Sequence, residues 1–161
     1  MMKKAQYFVV DEAKDLQKGQ SLVELAISMT LLFILLAGVV DFGRAIMAYF
    51  VLQDAAEEGI VFGTSYPTDC NQILDRIHNN IDNQINNNNT VINVSIKDDA
   101  GVFQSCYSIP FAQVYAGKLM RIEITNDFPI TMPFLGTILG SQTIPLSITT
   151  NGTILRPPPP D

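Results

Sequence analysis

LVELAISMTLLFILLAGVV, from Leu22 to Val40, runs 19 residues with a single charge, Glu24. At about 1.5 Å per residue a helix of this length reaches roughly 28 Å, close to the ~30 Å hydrocarbon core of a bilayer. Helices inside soluble domains are rarely apolar on every face over such a distance. The run therefore reads as one membrane span, and the rest of the chain is organised around it.

Before the span lies a short polar leader, residues 1–19, with four lysines against three acids. After it, six Lys or Arg face twelve Asp or Glu. Near the span itself, Lys14 and Lys18 precede and Arg44 follows. Under the positive-inside tendency the N-terminus is cytoplasmic and the C-terminal part lies outside. A chain of net charge −6 lacks the clustered bases that nucleic acid requires, so no nucleic-acid partner is expected.

Helical spacing continues beyond the span. Phe42, Ala45/Ile46, Tyr49, Leu52, Ala56, Gly59/Ile60 and Gly63 recur every three to four residues, with Gln53, Asp54, Glu57 and Glu58 on other faces. The spacing predicts one helix from about Gln20 to Phe62, about 65 Å long. Its lower half lies in lipid and its upper half packs on a domain, with Gly63 and the turn-rich TSYPTD ending it. Asn71–Ile85 predicts a second, amphipathic helix carrying Ile73, Leu74, Ile77, Ile81 and Ile85 on one face. The run Asn86–Asn89 reads as a loop.

From there the period falls to two. Thr90–Asp98, Gln104–Ile109, Lys118–Asp127 and Thr143–Thr150 predict strands of an antiparallel sheet with one face on the helices. Phe128–Gly140, with Pro129 and Pro133, reads as a long apolar loop, and Arg156–Asp161 (RPPPPD) as an extended polyproline tail. The expected fold class is α+β: a leader (1–19), a long helix (20–63) including the span 22–40, an extracytoplasmic α+β domain (64–155) and the tail (156–161). Cys70 and Cys106 fall on the outer side, where an even pair reads as a disulfide rather than as two buried thiols.

Signals for catalysis are weak. His78, the only histidine, sits on an amphipathic helix with no motif placing a nucleophile and a carboxylate beside it. Asp98-Asp99-Ala100-Gly101 lacks the spacing of a calcium loop and reads as a hairpin turn. The tripeptides beginning at Asn88, Asn93 and Asn151 match glycosylation sequons, a pattern common by chance. No enzyme activity, metal, cofactor or small-molecule substrate is expected.

The sharpest motif lies at the membrane edge: Lys18-Gly19-Gln20-Ser21-Leu22-Val23-Glu24. An ordinary secretory signal fits poorly, because its apolar core is shorter and its cleavage site follows the core. The stretch resembles the type IV prepilin class, in which a leader ends in glycine, the cut falls before the next residue, and a glutamate stands fifth in the mature chain. Gly19-Gln20, Val23-Glu24, Asp41-Phe42-Gly43-Arg44 and Gln53-Asp54-Ala55-Ala56-Glu57-Glu58-Gly59 together are similar to the TadE/TadG-type (TadE-like) minor pilins and pseudopilins of tight-adherence (Flp, type IVc) pilus systems. Glu57 and Glu58 depart from that pattern, which carries a base there, and the leader is acidic in its middle.

The resemblance implies cleavage between Gly19 and Gln20 by a prepilin peptidase, an assembly role for Glu24, and contacts with other pilins or pseudopilins and with an inner-membrane assembly platform. Physical chemistry supports the glutamate's part. A carboxylate at the edge of a membrane helix costs about 2–3 kcal/mol and usually faces a partner. Cleavage would create a positive α-amino group one turn away. Asp41 and Arg44, three apart, can pair on one face, and with Gly43 they form a candidate helix interface or a plain interfacial anchor. Ala37, Gly38, Gly43, Ala45, Ala56, Gly59 and Gly63 suit close helix contact. The alternative reading is an uncleaved single-pass anchor carrying an adhesion or sensor domain.

Overall fold

The computed structural model describes residues 3–82, 85, 89–132, 136–137 and 140–155, with side chains in the first helix described from Gly19 onward and that of residue 82 left out. Residues 86–88 of the loop expected at Asn86–Asn89, Pro133 and the tail expected at Arg156–Asp161 lie outside the described residues.

Element order is α1 (Lys3–Ser65), α2 (Cys70–Asp82), β1 (Thr90–Lys97), β2 (Phe103–Ser105), a 3₁₀ turn (Phe111–Gln113), β3 (Leu119–Pro129) and β4 (Thr143–Thr153). The sheet is antiparallel with order β2-β1-β3-β4. The α+β class expected from the sequence is the one found. The chain divides into two compact units, 1–41 and 42–161. The first is helix alone. The second holds the rest of α1 together with α2 and the sheet.

Within the second unit the period-two pattern of β3 builds the core. Met120, Ile122 and Ile124 are fully buried and stand opposite Ile96, Val94 and Ile92 on β1. Across β4 the same three meet Gly152, Thr150 and Ile148. Leu52, Ala55, Ala56 and Ile60 of α1 and Ile73, Ile77 and Ile81 of α2 close over this face. Backbone approach is tight where side chains are missing. A Cβ on Gly59 would stand 2.6 Å from Ile77 Cγ1, and one on Gly152 would stand 2.7 Å from Ile60 Cγ1.

Four expectations are corrected. α1 begins at Lys3, not Gln20, and runs through Gly63 to Ser65. Gly63 is no helix terminator: a Cβ there would lie 2.5 Å from Met120 Sδ, so it serves packing. The stop comes from Pro67, which lacks an amide for the ladder, and the free Thr64 carbonyl accepts the Leu155 amide at 2.9 Å. α2 runs Cys70–Asp82 rather than Asn71–Ile85, capped by Asp69, whose Oδ1 accepts the Gln72 amide at 3.2 Å.

The third correction concerns the strand expected at Gln104–Ile109, which stops at Ser105. Cys106 is bonded to Cys70 at the start of α2 with Cα atoms 6.0 Å apart, and the Ser108 and Ile109 amides both donate to the Ser105 carbonyl. Bridge and turn together lead the chain away from β1. Fourth, β3 and β4 outrun their expected ends, reaching Pro129 and Thr153. The turn expected at Asp98–Gly101 is present: the Gly101 amide donates to the Asp98 carbonyl at 3.2 Å, and glycine accommodates φ of 85°.

Candidate functional site

In the first unit α1 presents apolar surface on every side. All large side chains from Leu22 to Val40 are exposed, and from Gly19 the helix is long and apolar enough to cross a membrane. The Thr30 hydroxyl donates to the Ala26 carbonyl at 2.8 Å, so it needs no water. The segment is a candidate membrane anchor.

Gly19 and Gln20 are exposed and lie inside the helix rather than at its start, with nothing within 4 Å of the position a Gly19 Cβ would take. Glu24 is exposed one turn on, surrounded by Leu22, Val23, Leu25 and Ile27. Its carboxylate has no hydrogen-bond or ion-pair partner among the described residues. The geometry thus keeps glycine and glutamate on one open turn-and-a-half of helix.

Asp41 is buried, whereas Gly43 is open, with no atom within 4 Å of a Cβ built there. Arg44 reaches the end of β3: its Nη1 donates to Thr131 Oγ1 at 2.8 Å and its guanidinium lies 5.4 Å from the centre of the Phe128 ring. The arginine thereby ties α1 to the sheet. Of the small residues suited to helix contact, Ala56, Gly59 and Gly63 are spent inside the second unit.

Spacing gave no sign of several interactions. Glu58 accepts from Arg76 Nη1 at 3.3 Å and from Asn80 Nδ2 at 3.1 Å, and Arg76 stacks 4.3 Å over the Phe62 ring. The acid that departs from the family pattern is therefore a clasp to α2. Its partners stand 18 and 22 residues away, beyond any helical or strand period. Glu57 accepts from Gln53 at 3.0 Å. At the β1–β2 turn, Asp98 Oδ1 accepts the Val102 amide at 2.8 Å, which holds its carboxyl below the ordinary range. Asp99 accepts from Lys118 and from the Tyr115 hydroxyl, which lowers its pKa and raises that of Lys118. His78 is half-buried on α2.

An apolar single-span helix joined to a small disulfide-linked α+β unit defines a class, the candidate membrane-anchored chain. Within that class, the family model described as TadE-like protein matches residues 19–60. The match opens at the glycine of the leader motif, takes in Glu24 and Asp41–Arg44, and closes at Ile60 in the core. No curated protein and no solved structure matches the chain.

Proposed function

We propose that the protein is a minor pilin or pseudopilin of a tight-adherence type IV pilus, and that a prepilin peptidase cuts it after Gly19. One observation carries the reading: Gly19 and Glu24, five apart, open the apolar helix, and the carboxylate faces outward with no described partner. Cutting before Gln20 supplies a positive amine beside it. The pair then forms within one chain or between a glutamate and a neighbouring subunit's amine, in a medium where an unpaired charge is costly. Because α1 is helical through Gly19, the peptidase must unwind it locally, and glycine lowers that cost by about 1 kcal/mol relative to alanine.

In this reading the apolar surface of residues 22–40 packs on lipid and then on other pilin helices, and the second unit lies outside the inner membrane and serves assembly. The test is Glu24→Ala in a cell that builds the pilus, with leader removal followed alongside. Expected is normal leader removal with pilus number reduced at least about tenfold, the equivalent of losing one charge-assisted contact. Undiminished assembly would contradict the role given to Glu24.

A further inference from the structure

β1 has a full neighbour on one side only. β3 pairs with it from Thr90 to Ile96. On the other side β2 pairs with Ser95–Lys97, and the last backbone bond there runs from the Cys106 amide to the Val94 carbonyl at 2.9 Å. Beyond that point the disulfide has drawn the chain off. A strand residue directs its N–H and C=O to the same side, and alternate residues share that side. Val94 points its carbonyl toward β2, so Thr90 and Ile92 present their backbone groups along the same edge. No described residue takes them.

A cleft of about 410 Å³ lies beside this edge. Leu74 of α2 and Tyr107, whose hydroxyl donates to Asn71 at 2.8 Å, form its inner wall. Asn93, Arg121 and Glu123 belong to the outer, polar face of the sheet. The cleft thus offers a bare backbone floor with an apolar wall and a polar wall.

We propose that this notch is a strand-addition site, in which an extended segment of a partner protein pairs antiparallel with Thr90–Asn93 on the line that β2 leaves. Four paired residues span about 13 Å. The segment alternates, with apolar side chains toward Leu74 and Tyr107 and polar ones toward Glu123. Charge selects the polar positions. Arg121 is already held by the Phe103 ring at 3.8 Å and by Asn151 at 3.0 Å, while among the described residues Glu123 has a single long pair, 3.6 Å from Arg121. In a chain of net charge −6 that favours lysine, arginine or neutral residues over acids. The inference is independent of the pilus reading.

The test uses the full chain in detergent micelles with its disulfide intact, and a synthetic probe, acetyl-Thr-Val-Lys-Val-Thr-Val-Lys-amide. Hydrogen exchange followed by mass spectrometry should slow over 90–93 on adding peptide and stay unchanged over 143–153. In antiparallel pairing the amides facing β1 belong to the residues whose side chains face inward. N-methylating the valines should therefore weaken binding at least about tenfold, while N-methylating the lysines and threonines should not. No slowing at up to about 1 mM peptide, or equal affinity of the two methylated peptides, would overturn the proposal. Slowing that instead follows protein concentration without peptide would make the occupant a second copy and overturn the partner assignment.

Discussion

Three glycines, Gly59, Gly63 and Gly152, set how closely α1 lies on its own unit. Gly59 leaves room for the fully buried Ile77 and for Ile122, and Gly152 lets Ile60 and Thr64 rest on β4. A side chain at position 59 has nowhere to go, because the neighbour that must yield is itself packed between helix and sheet. Gly59→Val is expected to destabilise the protein by about 2 kcal/mol or more, since overpacked cores force backbone shifts. Urea unfolding followed by tryptophan-free far-UV dichroism reads this directly, and an unchanged midpoint would contradict the packing account. Asn126 is the buried residue with an incomplete set of bonds: Nδ2 donates to Thr90 Oγ1 at 2.7 Å, while Oδ1 has no partner among the described residues. The alternation places Asn126 in the inward register of Met120, Ile122 and Ile124, but its hydrogen-bond partners depend on the tertiary fold.

The β1–β2 turn is an element held by charge. Both Asp98 and Asp99 have pKa values lowered from 3.8, by the Val102 amide in one case and by Lys118 and Tyr115 in the other. A carboxylate whose pKa is depressed by folding adds stability above its unfolded value and loses it as pH falls through the folded value. The turn should therefore stay closed down to about pH 4 and loosen below it. Lys118, shifted up, adds stability below the ordinary lysine value and loses it as pH rises through the raised one. Melting curves between pH 7 and 2 should show Asp99→Asn less sensitive to acid than the parent, whereas parallel curves would contradict the turn's role. Elements whose pattern stems from burial were legible beforehand: the alternation in Lys118–Asp127 and the isoleucine stripe of α2 each marked a face that is buried. The strand at Gln104–Ile109 was not, because its β-rich residues are overruled by the covalent pull of Cys106 and the Ser105 turn. Nor was the helical stretch before Gln20, whose mixed charge hides any period.

Across the whole molecule the family match ends at Ile60, so the sheet owes its description to its own physics. The bridge joins residues 36 apart, and closing such a loop contributes roughly 3–4 kcal/mol in the chain-entropy picture. Cys70→Ser with Cys106→Ser should lower stability by about 3 kcal/mol and free the chain at Ser105; an equal urea midpoint would contradict that contribution. The candidate site was legible in a different sense. Gly19, Gln20 and Glu24 stood out by their spacing against an apolar background, while the inward turn of Arg44 to Thr131 depended on the tertiary fold. What that spacing is for is decided by the start of the mature chain. Intact mass and N-terminal sequencing of the protein from membranes of a host with active prepilin peptidase should give a chain beginning at Gln20, and Gly19→Val should abolish the cut. A chain that still begins at Met1 in that host would contradict the account.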